Sequence, residues 1–245
     1  MNEIAIIIPS RLAAERFPNK PLKLIDKKEM ILHVYDSAVK ADENVYVATP
    51  DELIIEAIKK YGGKAVRTSL DHKTGTDRIF EVFDKILKRK PKIIINLQGD
   101  MPNIDPNEIK KLISYMKRDL CDIATLASTI RESNDIQNSN IVKVVTKKKI
   151  EEGNFCRALD FFRSTNNKTI DQIYHHVGIY AFTNEALIRY VDLKRSKLEL
   201  ERKLEQLRAL ENNMTIDVGF INSYPLSVDT ENDFKKIKKI MEKNG

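Results

Sequence analysis

The sequence predicts an α/β fold in one domain over residues 1–245: a doubly wound, mostly parallel sheet with a smaller β-rich excursion at about residues 129–182. Three observations carry this expectation. Apolar runs and amphipathic stretches alternate as far as residue 118, the rhythm of strand and helix in a layered α/β protein. The run Ile93-Ile94-Ile95 is continuously apolar, which suits a central parallel strand covered on both faces. Beyond residue 120 the segments become strand-like and are separated by polar stretches.

Taken in order, Glu3 to Ile8 is an apolar strand ended by Pro9, and after a long loop Met30 to Ala41 carries apolar residues at helical spacing. Val45 to Ala48 reads as a strand, Asp51 to Tyr61 as a helix, Gly62-Gly63 as a turn and Ala65 to Thr68 as a strand. Asp77 to Lys88 follows as a helix with Ile79, Phe80, Val82, Phe83, Ile86 and Leu87 inward. Lys92 to Leu97 is the central strand, and the next helix starts near Pro106. Ile123 to Ala127, Ile141 to Val145 and His176 to Phe182 read as strands, with Thr165 to Lys168 among the polar connections. Leu198 to Asn212 reads as one helix, with Leu200, Leu204, Leu207, Ala209 and Leu210 as its buried stripe and Glu201 and Glu205 on one side. Thr215 to Phe220 is a strand and Asn232 to Met241 a closing helix.

Composition narrows the function classes. With 42% hydrophobic and 32% charged residues the chain is globular, and no apolar run nears the roughly 20 residues that cross a bilayer. Met1-Asn2-Glu3-Ile4 leads directly into the first strand without the features of a secretory signal, so a cytoplasmic protein is expected. Cys121 and Cys156 have no zinc-type spacing to each other or to His33, His72, His175 and His176. Both read as small buried apolar residues. The net charge of +6 comes from lysines interleaved with acidic residues, a solvated surface rather than a nucleic-acid groove.

In a doubly wound layer, ligands sit beyond the carboxyl ends of the strands, so the loops there hold the candidate chemistry. Directly after the first strand, Arg11, Arg16 and Lys20 lie in a loop restrained by Pro9, Pro18 and Pro21. Such a loop can surround a polyphosphate without a glycine-rich cradle, which this sequence lacks; the alternative is an ordinary basic surface loop. After the central strand comes Gln98-Gly99-Asp100, where Asp100 is placed to hold Mg²⁺, Gly99 allows close approach, and Gln98 can read a base, ribose or sugar hydroxyl. Asp229 can add a second carboxylate, although Thr230 with Asp233 is equally a helix cap that needs no metal. His72-Lys73-Thr74-Gly75-Thr76-Asp77-Arg78 is a polar loop feeding a helix whose amino end favours an anion, a weak signal as a lone motif. On the last candidate strand His176, Gly178 and Tyr180 share one face and Val177, Ile179 and Ala181 the other, a pattern that structural packing also explains.

In this order the segments resemble the 3-deoxy-manno-octulosonate (Kdo) cytidylyltransferases, with a nucleotide-diphospho-sugar transferase-like fold. The resemblance runs from about Ile4 to Ile237, through Arg11 to Lys20, Gly75 to Arg78, Gln98 to Asp100, Gly178 to Ala181 and Val228 to Thr230; Leu204 to Glu211 is its most specific string. It implies a homodimer that uses CTP and Mg²⁺ to convert Kdo to CMP-Kdo and pyrophosphate for lipopolysaccharide. Residue by residue it implies Arg11, Lys20 and Asp100 in catalysis; Arg11, Lys20, Arg78 and Gln98 on the nucleotide; and Asp100 with Asp229 on the ion. Arg16, Gln98, Arg157, His176, Tyr180, Glu205 and Gln206 would bind the sugar acid, and the excursion from Thr129 to Phe182 would supply dimer contact.

The sequence departs from that family at Met101, where glutamate is expected, at Asn19, where glycine is expected, and at Cys156 to Asp160, where Ser-Arg-Ala-Pro-Ile is usual. Two other readings compete: activation of 8-amino-Kdo or an N-acylneuraminate, and a non-catalytic nucleotide- or RNA-binding protein. Paired carboxylates in the groove argue against the second, since an electrostatic RNA binder has no use for them.

Overall fold

The computed structural model describes residues 3–13, 16–131, 133–164 and 172–243; the polar stretch Thr165 to Lys168 lies outside them, as do Ala14 and Glu15 of the basic loop. The chain forms two compact units, Met1–Lys111 with Pro225–Gly245, and Leu112–Tyr224.

The first unit contains, in order, β1 (Ile4–Pro9), the short pair β2 (Leu24–Ile25) and β3 (Lys28–Glu29), α1 (Met30–Ala41), β4 (Val45–Thr49), α2 (Glu52–Lys60), β5 (Ala65–Arg67), α3 (Gly75–Glu81) and β6 (Ile93–Asn96). Its four long-range strands lie in the order β5-β4-β1-β6, every pairing parallel, with Ile6 of β1 opposite Val45 on one side and Ile95 on the other. Ile4 to Ile8 and Ile93 to Ile95 are all buried, because branched apolar residues on both faces of a strand are stable only where both faces are covered. Met30, Ile31, Val34 and Ala38 of α1 and Ile54, Ile55 and Ile58 of α2 are buried with them.

The helix read as Asp77 to Lys88 differs in the structure. It begins at Gly75 because Thr74 caps it, Thr74 Oγ1 accepting the Asp77 N–H at 3.1 Å, and it widens into a π-helical turn at Val82–Ile86. The wider turn shifts the face presented inward: Ile79, Val82, Phe83 and Leu87 stay buried, Phe80 is half-buried and Ile86 is 46% exposed. Lys90 Nζ closes the turn by donating to the carbonyls of Phe83 and Asp84.

α4 (Pro106–Met116) precedes the strands of the second unit, β7 (Ile123–Ser128), β8 (Lys143–Thr146), β9 (Phe155–Phe162) and β10 (Ile173–Thr183). After them come α5 (Asn184–Asp192), α6 (Lys197–Arg202), α7 (Gln206–Glu211) and β11 (Ile216–Phe220). The sheet here is mixed rather than mostly parallel: β7 pairs β11 in parallel, whereas β10 with β7, β9 with β11, and β8 with both β9 and β10 are antiparallel.

Three features of this unit escaped the sequence reading. β9 hides because Leu159, 56% exposed, and the half-buried Asp160 break its alternation, beside a register shift between Val145 and Thr146. α5, capped by Thr183 Oγ1 on the Ala186 N–H, gave no separate signal. The stretch Leu198 to Asn212 is two helices, because Lys203 takes left-handed backbone (φ 55°, ψ 46°) and ends α6. Leu200 is therefore 52% exposed, Leu210 is half-buried, Glu199 occupies the interior, and Glu201 and Glu205 belong to different segments. Cys121 is buried as expected, whereas Cys156 is half-exposed.

α8 (Glu231–Met241) returns to the first unit. The capping box anticipated at Thr230 and Asp233 is formed, with Thr230 N–H donating to Asp233 Oδ2 at 2.8 Å and Asp233 N–H to Thr230 Oγ1 at 3.2 Å. Phe234 and Ile237 of α8 pack with Phe17, Ile25, Met30 and Val228, a small core that ties the basic loop to this helix. Among the described residues no helix is long and apolar enough to cross a membrane.

Candidate functional site

A cavity of about 480 Å³ opens beyond the carboxyl ends of β1 and β6, within the range of small-molecule sites. Its walls come from four segments of the first unit: Ser10, Arg11, Arg16 and Lys20; His72 to Gly75 with Arg78; Gln98, Gly99 and Asp100; and Asp229.

Local backbone geometry places these groups. Asn19 is left-handed (φ 58°, ψ 16°), a conformation glycine adopts freely and asparagine tolerates best among the others, so asparagine can replace the expected glycine here. It leads into a 3-10 turn at Lys20–Leu22 that aims Lys20 inward. Gly99 sits in a tight place: a Cβ there would lie 3.0 Å from the Pro9 carbonyl oxygen and 3.1 Å from Ile31 Cδ1, so a larger residue would have to push these neighbours back by a few tenths of an ångström.

Lys20 organises the charges. Its Nζ donates to Asp100 Oδ2 at 2.9 Å and to the Val228 carbonyl at 2.7 Å, and lies 3.9 Å from Asp229 Oδ1. Arg16 pairs with Asp229 Oδ2 at 3.1 Å. Asp100 and Asp229, far apart in sequence, thus share one ammonium at the cavity wall. Asp100 caps no helix, since α4 begins only at Pro106, and Met101 is 2% exposed and does not line the cavity.

Arg78 is 4% exposed and braces the preceding loop, donating to Thr68 Oγ1 at 2.5 Å and the Ser69 carbonyl at 2.8 Å. Burial, then the nearby Arg11 charge, lowers its pKa. Gln98 Nε2 donates to Asn96 Oδ1 at 3.0 Å, which orients its amide. His72, Lys73, Thr74 and Gly75 of the candidate polar loop line the cavity together with Arg78, the residue of that loop expected on the nucleotide. His72 is held 2.6 Å from Glu81 Oε2; burial opposes ionisation of Glu81, but the His72 bond, the Ser69 N–H and Lys85 outweigh it and hold its pKa below the usual value.

In the second unit, His176 and Tyr180 lie together, ring centroids 5.4 Å apart. His176 Nε2 is 2.9 Å from Thr125 Oγ1, and that hydroxyl also lies 2.7 Å from the Ile179 carbonyl and 3.2 Å from the Val177 carbonyl. A neutral His176 ring meets this hydroxyl as donor or acceptor according to its tautomer. Burial, then His175, lowers its pKa to about 3. The Tyr180 pKa is raised well above its ordinary value by burial, then by the charge of Glu205. Gln206 is buried at the start of α7.

Arg157 does not join this group. It pairs with Asp217, which is opposite Ala124, whereas Tyr180 is opposite Thr125; neighbouring residues of β7 face opposite ways, so Arg157 projects from the other face. There its Nε donates to Asp217 Oδ1 at 2.7 Å, while Tyr115 Oη donates to Asp217 Oδ2 at 2.7 Å.

A parallel α/β unit with cations and two carboxylates around a strand-end cavity is the arrangement nucleotidyl transfer needs. A cytidylyltransferase family model matches residues 5–216. The 3-deoxy-manno-octulosonate cytidylyltransferase of Bartonella henselae is 43% identical over 98% of each chain, and that of Rickettsia felis 41% identical over 98% of this chain and 96% of the relative. A solved structure of CMP:2-keto-3-deoxy-manno-octonic acid synthetase complexed with CTP superposes with a TM-score of 0.88 at 34% identity, covering 99% of each chain. The chain belongs to the cytidylyltransferase family, in the group of the 3-deoxy-manno-octulosonate cytidylyltransferases. The fold extends to a 4-diphosphocytidyl-2C-methyl-D-erythritol synthase from Anaerococcus prevotii, TM-score 0.63 at 13% identity.

Proposed function

We propose that this protein transfers a cytidylyl group from CTP to Kdo, giving CMP-Kdo and pyrophosphate for lipopolysaccharide biosynthesis. The observation that carries the assignment is the meeting of Asp100 and Asp229 on Lys20 inside a cavity that Arg11 and Arg16 also line.

The chemistry asks for charge neutralisation and alignment rather than a covalent nucleophile. The anomeric hydroxyl of Kdo attacks the α-phosphorus; the new C–O–P bond forms as the bond to the bridging oxygen breaks, pyrophosphate carries off the electron pair, and the hydroxyl proton is released. Arg11 and Lys20 bind the triphosphate, with Arg78 supplying positive charge from behind and Gln98 directing its amide to nucleotide or sugar. His176, Tyr180, Glu205 and Gln206 bind the sugar acid, with Arg16 near its carboxylate. Neutral His176 acts by hydrogen bonding. Arg157, committed to Asp217, shapes the sheet behind that pocket.

Asp100 and Asp229 fit Mg²⁺: both are hard oxygen donors already grouped around a positive charge, and Mg²⁺ commonly takes only one or two carboxylates from protein, with phosphate oxygens and water completing its shell. Bound there, Mg²⁺ would offset phosphate charge as a Lewis acid.

The finer architecture is part of the proposal: a doubly wound sheet, homodimer contact through Thr129 to Phe182, and action in the cytoplasm without membrane insertion. The test is pyrophosphate release across CTP, UTP and ATP with Kdo, 8-amino-Kdo and N-acetylneuraminate in the presence of Mg²⁺. CTP with Kdo is the expected pair; release with neuraminate and none with Kdo refutes the substrate assignment.

A further inference from the structure

The break between α6 and α7 delivers Glu205 and Gln206, yet little in its own sequence enforces a break. Lys203 takes left-handed backbone at a cost of roughly 1–2 kcal/mol relative to ordinary helix, without the relief glycine would bring. Something outside the turn must fix it.

A buried polar network does so. Tyr190 of α5, 2% exposed, donates its hydroxyl to the Glu205 carbonyl at 2.8 Å. The guanidinium of Arg208 lies over the Tyr190 ring, 4.7 Å from its centroid, and forks onto Glu199, Nε to Oε2 at 2.8 Å and NH2 to Oε1 at 2.7 Å. Glu199 is fully buried and also accepts Arg195 Nε at 2.9 Å and the Ser196 N–H at 3.2 Å. The chain therefore runs from α6 through Glu199 and Arg208 to the Tyr190 ring, and from its hydroxyl to Glu205.

The charge states are those the network needs. Burial works against ionising Glu199, but bonds from Arg208 and Arg195 outweigh it and lower its pKa, while the Glu199 bond raises that of Arg208. A buried ion pair often adds little net stability over an apolar substitute, while removing one partner is strongly destabilising, so Glu199 and Arg208 are held to each other. Their pairing bears on the direction of the turn carrying Glu205, whose charge acts on Tyr180 beside His176.

We propose that Tyr190, Arg208 and Glu199 are positioning residues for recognition of the acidic sugar, holding the Lys203–Glu205 turn so that Glu205 and Gln206 meet the substrate. This rests on the assignment of Glu205 and Gln206 to the sugar.

The test is Tyr190→Phe in the full-length protein, which removes the hydroxyl bond to Glu205 and leaves the ring beneath Arg208. Losing one hydrogen bond of ordinary strength, about 0.5–1.5 kcal/mol, corresponds to a rise in KM for Kdo of roughly two- to tenfold, with KM for CTP unchanged. A merely structural tyrosine would shift both constants together or only lower the melting temperature. Either result, or an unchanged KM for Kdo, overturns the proposal. Arg208→Lys, which keeps the charge but not the fork, should act in the same direction. Gln206→Ala and Glu205→Gln are the controls: if they leave KM for Kdo unaltered, the sugar assignment itself fails; if they raise it and Tyr190→Phe does not, only the positioning role fails.

Discussion

Replacing Asp100 with asparagine separates a binding role from a structural one. The side chain keeps its shape and an oxygen for Lys20 but loses its charge. Lys20 and Asp100 are 15% and 23% exposed and 2.9 Å apart. At an effective dielectric of about 20 their gross attraction is roughly 5–6 kcal/mol, most of it offset by desolvation, and a charge-assisted bond nets about 1.5–3 kcal/mol against about 1 for a neutral one. Asp100→Asn should therefore lower stability by about 1–2 kcal/mol, a fall of roughly 2–8 °C in melting temperature for a chain of this size. Turnover should suffer far more. Removing a charged group that stabilises the reacting phosphate costs about 3–4 kcal/mol, so pyrophosphate release should drop on the order of 100- to 1,000-fold, with half-saturating Mg²⁺ displaced upward. The measurements are calorimetry and a Mg²⁺ titration of the coupled assay with CTP and Kdo. Turnover within threefold of the parent at saturating Mg²⁺ would refute the role of Asp100.

Two further predictions concern buried polar groups. Ser10 is 8% exposed and its buried hydroxyl has no hydrogen-bond partner among the described residues, so Ser10→Ala should raise stability by about 1 kcal/mol and the melting temperature by about 2–4 °C; a lower melting temperature would show that the hydroxyl is satisfied. His176 has a folded pKa of about 3, below the roughly 6.5 of an unfolded histidine, so the unfolded chain takes up a proton first and stability is lost as pH falls from about 6.5 toward 3. Between pH 7 and pH 5 the stability advantage of the parent over His176→Gln should shrink by about 2 kcal/mol in denaturant titrations, and a gap independent of pH would contradict the buried neutral imidazole.

The sequence was most legible where one period and one environment coincide. Met30 to Ala41 was read to the residue because its buried positions follow helical spacing throughout, and Ile93 to Ile95 announced a covered strand. Legibility failed where tertiary contacts override local preference. Lys203 bends back against its propensity because Glu199, Arg208 and Tyr190 fix the turn around it, so two helices were read as one. β9 lost its alternation at Leu159 and Asp160, where Asp160 instead receives Arg202 NH1 at 2.7 and 2.9 Å. In the site, Arg11, Lys20 and Asp100 stand out from their place beyond strand ends, whereas Asp229, just before α8, reads equally as part of a helix cap. The face occupied by Arg157 could not be anticipated, because it depends on the register of β9, a strand that had not been recognised.

The bond from Lys20 Nζ to the Val228 carbonyl joins positions 208 residues apart. Closing so long a loop carries an entropic cost that must be met before the contact gives anything back, so such contacts form after local helices and neighbouring strand pairs. During refolding, most of the secondary structure can therefore precede the catalytic centre. On refolding, helix content is expected to return on a faster clock than pyrophosphate release, the slower one waiting on the arrival of Val228 and Asp229 beside a lysine near the opposite end of the sequence.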